Sequence, residues 1–218
     1  MKERPILFSA EMVRALLTGT KTQTRRVVKQ WQIPKQQEDG TWFAIAQRDP
    51  RYGFGVSGHT EQECANQLAQ YGSPYGNPAA KLWVREAWMP DAPRDGTWPD
   101  VQFYGCKDSS LDLIPERYQK PKHCLFRATW NGYELVGWKP SIHMPRWACR
   151  ILLQITDVRV ERLQDISEAD AVAEGGPVDH PNGTARGWFE QLWVELYGAG
   201  SWDANPWVWV IEFKKVEA

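Results

Sequence analysis

The chain has 218 residues, of which 42% are hydrophobic and 24% are charged, a balance that excludes disordered, collagen-like and coiled-coil proteins. Because the formal net charge is only −1, nucleic-acid binding would require a local basic patch. No apolar run approaches the roughly 18 residues of a membrane-spanning helix, and the stretch MKERPILFSA does not have the apolar h-region of a signal peptide. We therefore expect one cytoplasmic domain over residues 1–218, with no membrane partner.

The cysteines and tryptophans give two further expectations. The four cysteines form no CxxC pair, and a chain of this length does not need a disulfide framework. The histidines that stand near them, His59 and His123, do not give a regular zinc spacing, so we predict no metal and no cofactor. Most of the 13 tryptophans should fill the core, which leaves one or two to face a ligand.

In chain order, the first predicted element is an amphipathic helix over residues 9–19, with Ser9 as its N-cap and Gly19 at its C-terminus. The run TKTQTRRVVK that follows has the β-branched residues and the alternation of a turn that leads into a strand. Residues 30–80 and 90–123 have little periodicity and are rich in Gly and Pro. We interpret both ranges as insertions made mostly of loop and short helix.

Four segments have the pattern of strands. In LWVREAW, the side chains of Leu82, Val84 and Glu86 alternate onto one face. A second strand is predicted in CLFRATW (124–130), followed by a hairpin turn at NGY, and a third over residues 151–160. The terminal WVWVIEF has two tryptophans, an isoleucine and a phenylalanine on one side, which predicts a strong last strand.

Two helices are predicted near the C-terminus. The first is capped by Ser167 and ended by Gly-Gly-Pro at 175–177, and the second covers about 185–197. Short strands interleaved with a few helices are typical of the α+β class and favour a small barrel decorated by the insertions. The chain lacks GxGxxG, Walker, GxSxG and HExxH motifs, so nucleotide-dependent, α/β-hydrolase and zincin activities lose their main support.

The cluster GTKTQTRR over residues 19–26 carries the most chemical information. A lysine three residues before a hydroxyl, at a helix-to-strand corner, can bring the Lys21 amine to the Thr24 oxygen. Such a pair can perform nucleophilic chemistry without histidine if the pKa of the lysine falls toward about 7–8. The like charges of Arg25 and Arg26 would lower that pKa. The alternative interpretation is a basic turn whose side chains are solvated.

The order RPILFS, a short helix and then GTKTQTRR resembles the ASCH family of the PUA-like superfamily, whose signature is a glycine followed by K-x-x-T-x-R. The stretches LWVREAW, KPSIHMPRWACRI, ISEADAVAEG and NPWVWVIEF are similar to the larger, phage- and prophage-type members. The resemblance covers about 1–29, 81–90 and 124–218. The insertions at 30–80 and 90–123 have no counterpart in the smallest members.

The resemblance implies an open PUA-like β-barrel whose cleft suits a nucleobase or single-stranded RNA. Small ASCH proteins include amidohydrolases that remove the acetyl group from N4-acetylcytidine with a lysine, a threonine and a glutamate. The first two match Lys21 and Thr24 at the same spacing, and Glu86 is the best match for the glutamate. The implied activity is hydrolysis of a non-peptide C–N bond in a modified nucleoside.

Glu86 shares its predicted face with apolar residues, so its carboxylate should point into the barrel, where a charge without a partner is costly. A cation such as Lys21 would be a suitable partner. An ion pair, however, holds a lysine protonated. Two roles therefore stay open: Lys21 passes its proton to Glu86, or it acts mainly as an electrostatic orienter.

Four more residues are candidates for substrate binding. In the mechanism that the resemblance implies, Arg26 or backbone N–H groups hold the oxyanion. His143 and Arg146, in the PSIHMPR loop, would line the mouth of the cleft. Trp88 would stack on a base, with the alternative that it packs at the end of the barrel.

Two other kinds of function are compatible with these residues, one that acts on RNA and one that works through protein contacts. The chain could be an RNA-binding module or a metal-dependent ribonuclease with the same cleft, or a phage accessory protein that works through protein contacts. Binding alone predicts a continuous basic groove, which the near-neutral charge disfavours. We expect a monomer whose partner is a modified nucleoside or nucleobase, with single-stranded RNA as the alternative.

Overall fold

The structure, a computed structural model, describes residues 3–49, 51–91, 110–133, 137–178 and 183–217. Over these residues the fold is α+β. No sheet formed by the described strands closes into a barrel. None of the described helices is long and apolar enough to cross a membrane.

Four helices and ten strands are defined within the described ranges. The helices are α1 (Ala10–Thr18), α2 (Glu61–Gly72), α3 (Glu168–Ala173) and α4 (Ala185–Tyr197). The strands are β1 (Arg4–Leu7), β2 (Gln23–Val27), β3 (Lys35–Gln36), β4 (Trp42–Gln47), β5 (Phe54–Gly58), β6 (Lys81–Arg85), β7 (Trp88–Pro90), β8 (Cys124–Phe126), β9 (Leu152–Arg162) and β10 (Trp207–Val216).

The chain is divided into two compact units. The first is built mainly from Thr18–Ala80 and Gln154–Lys214, and the second from Lys2–Leu17, Lys81–Leu153 and Lys215–Ala218. Over its described residues, each predicted insertion lies inside one unit and does not form a unit of its own.

In the first unit, β9, β10 and β2 are neighbours in a sheet. Strand β2 is antiparallel to β10, and Thr24 lies opposite Ile211. The sequence analysis assigned one apolar face to the terminal strand, but both faces are buried. Val208 and Val210 form the second face, against which Phe189 of α4 packs. The central position of β10 between two strands explains why its side chains are covered on both sides.

The first insertion is more regular than expected. Strands β3, β4 and β5 form an antiparallel sheet, and α2 packs on β4 and β5. Small inner side chains, Ala44 and Ala46, face Leu68 of α2, and all three are buried. The sequence analysis did not anticipate this sheet, although most of 30–80 is still loop and helix as predicted. We call this segment the βββα insertion.

In the second unit, β1 and β6 are parallel, and β7 is antiparallel to β8. Leu82, Val84 and Glu86 are all buried, which confirms their predicted common face. The predicted strand over 124–130 is shorter, because a 3-10 turn replaces it after Phe126. The second insertion begins at the end of β7, and its described residues 110–123 form three 3-10 turns joined by loop.

The predicted helix ends agree with the structure. The Ser9 hydroxyl accepts a hydrogen bond from the Met12 amide, and Gly19 ends α1 with a φ of 79°. Ser167 and Asp170 exchange side-chain and backbone hydrogen bonds in a capping box at the start of α3. These local signals involve residues only three positions apart, so they can be recognised from sequence.

The core of the βββα insertion gives a stability prediction. Leu68→Ala removes a fully buried side chain and should lower the free energy of unfolding by about 2–5 kcal/mol. Gln67→Ala, at the neighbouring exposed position, is the control and should change it by less than about 0.5 kcal/mol. Urea denaturation measures both, and equal values for the two variants would contradict the described packing.

Candidate functional site

The backbone that carries Lys21 and Thr24 is fixed from both sides. The Thr22 amide donates to the Ala173 carbonyl at 2.8 Å, and the Phe213 amide donates to the Thr22 carbonyl at 2.9 Å. This segment therefore connects the end of α3 to β10. Lys21 is 2% exposed and Thr24 is 0% exposed. The alternative of a solvated basic turn is therefore wrong for the lysine.

The amine of Lys21 binds the C-terminal end of α3. Its Nζ donates to the backbone carbonyl of Glu174 at 2.7 Å and to Oε2 of the same residue at 2.8 Å. The Glu174 side chain is 3% exposed. Because both groups are removed from water, each needs the other to offset the cost of burial.

The end of α3 explains why Glu174 needs a cation. Gly175 has a φ of 101°, and the amide of Gly176 donates to the Ala171 carbonyl at 3.1 Å, which is a Schellman ending. The carbonyl of Glu174 is thereby left at the helix end, where the helix dipole disfavours a carboxylate. The Lys21 amine donates a hydrogen bond to this carbonyl and also balances the negative charge of the Glu174 carboxylate.

The pKa of Lys21 lies below its ordinary value. Burial is the largest cause, because it disfavours the charged amine. The carboxylate of Glu174 raises the pKa, and the like charges of Arg26 and Arg25 lower it. The expected direction and the expected contribution of the two arginines are both confirmed.

Arg25 extends the ion pair into a charged network. Its guanidinium contacts Glu174 at 3.3 Å and Asp170 at 3.6 Å, and it also binds Glu161. Arg159 in turn binds Glu161 and Asp170, both at 2.9 Å. Carboxylates from β9 and α3 therefore surround a fully buried arginine on β2, and they hold that strand against the helix.

Thr24 has a cationic partner of its own. The Arg26 guanidinium donates to Thr24 Oγ1 at 2.7 Å and to the Arg25 carbonyl at 2.8 Å. A guanidinium at this distance stabilises negative charge on the threonine oxygen. We still predict that the Lys21 amine lies within hydrogen-bonding reach of the Thr24 hydroxyl.

Glu86 has a different partner from the one expected. Both of its oxygens accept hydrogen bonds from Arg150, at 2.8 and 2.9 Å, and the carboxylate is 1% exposed. The Arg150 guanidinium also lies over the ring of Phe126, 4.0 Å from its centre. Glu86 is thus buried and paired with a cation, as expected, but that cation is the half-buried Arg150. In the described contacts, however, the carboxylate beside Lys21 is that of Glu174.

The remaining predicted residues lie in the second unit. Trp88 is fully buried and packs edge-on against Trp147, which fits the packing interpretation because neither ring face is open to a base. His143 is exposed at the end of a 3-10 turn. Arg146 is exposed and binds Glu3 at 2.6 Å. A role in substrate binding for the two loop residues stays a prediction.

Glu174 is the residue that the sequence analysis missed. The sequence did contain a signal for it, because this glutamate stands directly before Gly-Gly at the end of a predicted helix. The helix dipole destabilises an anion at that end, and burial does so too, so the glutamate requires a cation. The lysine that supplies the charge is 153 positions away in sequence. Spacing alone therefore does not identify the pair.

The described side chains offer no obvious metal centre. Within the described ranges, no group of three or more His, Cys, Asp and Glu is placed to hold a metal ion. Cys64, Cys124 and Cys149 are buried free thiols, and Cys106 lies outside the described residues. Burial raises the pKa of Cys124 to about 12, so this thiol is unreactive at neutral pH.

A comparison of the chain with protein-family models, with curated proteins and with solved structures finds no match in any of the three. The side-chain geometry described above is therefore the basis on which we assign a function.

The burial of the Lys21–Glu174 pair gives a stability prediction. Lys21→Met keeps the side-chain volume but removes the charge, so it should lower the free energy of unfolding by about 3 kcal/mol. The exposed pair of Arg146 and Glu3 is the control, and Arg146→Met should cost less than about 1 kcal/mol. Chemical denaturation measures both variants. Similar losses would show that the Lys21 pair is no stronger than a surface pair.

Proposed function

We propose that the chain is an amidohydrolase that cleaves the N4-acyl amide of a modified cytidine such as N4-acetylcytidine. One observation carries the proposal: a buried lysine of lowered pKa, held by a buried carboxylate, stands three residues before a buried threonine whose hydroxyl binds a guanidinium. Nucleophilic catalysis by a hydroxyl needs a nearby base and a group that stabilises negative charge. Lys21 supplies the base, Thr24 supplies the hydroxyl, and Arg26 supplies the group that stabilises negative charge.

In the proposed reaction, the Thr24 oxygen attacks the acyl carbonyl while the Lys21 amine accepts the hydroxyl proton. The C–N bond then breaks as Lys21 passes this proton to N4, and cytidine leaves with its free amine. Water next attacks the acyl-threonine, which releases the acid and restores the Thr24 hydroxyl. Arg26 donates to the developing oxyanion. Because Thr24 is fully buried, substrate binding requires the half-buried Arg26 side chain to turn away from the hydroxyl.

Glu174 takes the orienting role that the sequence analysis gave to Glu86. It holds Nζ by its side chain and by its backbone carbonyl, which fixes the amine in direction as well as in charge. An ion pair by itself would keep the lysine protonated, but burial outweighs the pair and the pKa falls. Lys21 therefore loses its proton more readily than an ordinary lysine, as a base beside Thr24 must.

The proposed fold is the PUA-like fold of the ASCH family, with the βββα insertion added to it. The G-T-K-T-Q-T-R-R run supports this assignment, and so does its place between α1 and β2. The later helix ISEADAVAEG supports it too, because this helix supplies the Glu174 carboxylate. An RNA-binding module would not require a buried amine, carboxylate and hydroxyl on neighbouring elements.

Substitution of the threonine tests the proposal. Thr24→Ala should reduce the turnover of N4-acetylcytidine at least 100-fold, because the nucleophile is removed, whereas Thr24→Ser should retain activity. The measurement is chromatographic release of cytidine, with longer N4-acyl analogues assayed alongside. Thr22→Ala is the matched control, since this threonine is exposed and only two residues away. It should leave turnover unchanged.

Two outcomes would contradict the proposal. Equal turnover by Thr24→Ala and the wild type would exclude the hydroxyl as nucleophile. If the wild type hydrolyses none of the analogues but binds single-stranded RNA with affinity that falls steeply in salt, an RNA-binding module replaces the enzyme.

A further inference from the structure

Strand β10 places a tryptophan next to the residues of the candidate site. Thr24 and Arg26 are two positions apart on β2, so their side chains point to the same face of the sheet. Ile211 of β10 lies opposite Thr24, and Trp209 lies opposite Arg26. Directly opposed residues share a face, with Cβ atoms about 4.5–5.5 Å apart. Trp209 is therefore the cross-strand neighbour of the arginine that binds the Thr24 hydroxyl.

The indole of Trp209 carries a polar hydrogen that the described part of the chain does not use. The side chain is 1% exposed, and its Nε1 has no hydrogen-bond partner among the described residues. An indole N–H can only donate a hydrogen bond. Because a buried donor without an acceptor destabilises the folded state, a donor of this kind beside a candidate site indicates an acceptor that a ligand brings.

Other described indoles are buried without a partner too, but their positions separate them from the site. Trp88 belongs to the second unit, and Trp193 is on α4, which packs on the opposite face of β10. Trp207 shares the face of Trp209 but lies two positions further from the site, and the Arg162 guanidinium lies over its ring, 4.4 Å from the centre. The register therefore distinguishes Trp209 from the others.

Arg26 connects this donor to the reaction. Its side chain is half-buried, whereas Thr24 and Trp209 on the same face are buried. Substrate binding requires Arg26 to turn away from the Thr24 hydroxyl. Because Arg26 is also the cross-strand neighbour of Trp209, the same movement would uncover the indole N–H.

We propose that Trp209 is a substrate-binding residue whose indole N–H donates to an acceptor on the leaving group of the amide. The inference rests on the proposed function, which supplies the reaction at Thr24. Arg26 is charged and therefore the stronger donor, and the oxyanion uses it. The neutral indole N–H is left for a neutral acceptor, and in N4-acetylcytidine the pyrimidine ring offers N3 and O2.

This contact would determine specificity. A buried donor rejects an analogue that lacks the acceptor, because the donor is then left unpaired. Trp209 would thus select amides whose amine part carries a ring nitrogen or a carbonyl oxygen.

Binding of cytidine measures the contact without the reaction, because cytidine keeps both ring acceptors and has no acyl group. Trp209→Phe keeps an aromatic ring but removes the N–H, and it should raise the dissociation constant about 5- to 30-fold in isothermal titration calorimetry. Trp207→Phe is the matched control, since this tryptophan has the same strand, face, burial and unpartnered N–H. It should leave the dissociation constant unchanged.

A second variant keeps the test decisive if Trp209→Phe does not fold. Benzothienylalanine at position 209 replaces the indole N–H by sulfur and keeps the size and shape of the ring. It should weaken cytidine binding by the same factor. Its midpoint of urea denaturation should equal or exceed that of the wild type, because the replaced donor has no partner among the described residues.

Kinetics separates a binding role from a structural one. In the hydrolysis of N4-acetylcytidine, Trp209→Phe should raise KM by a factor similar to its effect on cytidine. It should change kcat by less than about 3-fold, since the contact to the ring is present in the bound substrate and in the transition state. A structural fault that displaces Thr24 would lower kcat instead.

The outcomes distinguish this inference from the proposed activity. If the wild type binds cytidine through Trp209 but hydrolyses no N4-acyl analogue, the binding residue is supported and only the enzyme is contradicted. If hydrolysis depends on Thr24 but neither variant at Trp209 changes KM or the dissociation constant, only this inference is overturned. Equal losses in Trp207→Phe and Trp209→Phe, or a wild type that binds neither cytidine nor N4-acetylcytidine, would overturn it as well.

Discussion

The buried ion pair between Lys21 and Glu174 is the contact on which the rest of the site depends. It joins the segment before β2 to the end of α3, and Arg25 extends it to Glu161 on β9. Removing one member of such a pair leaves a charge in a low-dielectric interior, so the network fixes these elements together. Strand β2 and helix α3 are therefore positioned by charge as well as by apolar packing.

The same pair determines what the lysine can do. Burial lowers the pKa of Lys21 and Glu174 raises it, so the protonation of the amine depends on the balance between solvent exclusion and one carboxylate. Thr24 lies on the adjacent strand with the Arg26 guanidinium on its oxygen. A base of lowered pKa and a hydroxyl under positive charge are the two conditions for attack on an amide carbonyl. The proposed activity therefore relies on the same network that stabilises the fold.

Local sequence signals predicted much of the fold but only part of the site. The caps of α1 and α3 and the common face of Leu82, Val84 and Glu86 follow from residues close together in sequence. The contribution of Arg25 and Arg26 to the lowered pKa of Lys21 does so too, but its largest cause is burial, which depends on the whole fold. The sheet of the βββα insertion was missed because its inner side chains are small and its outer ones are large, which hides the alternation of a half-buried strand. Glu174 was missed because its partner is 153 positions away.

The most direct test compares the two carboxylates in the pH dependence of kcat/KM for N4-acetylcytidine. If neutral Lys21 is the base, kcat/KM rises with pH through the lowered pKa of this lysine. Because Glu174 raises that pKa, Glu174→Gln should move the rise to lower pH and reduce kcat, while Glu86→Gln should leave its position unchanged. A shift caused by Glu86→Gln and not by Glu174→Gln would contradict the account.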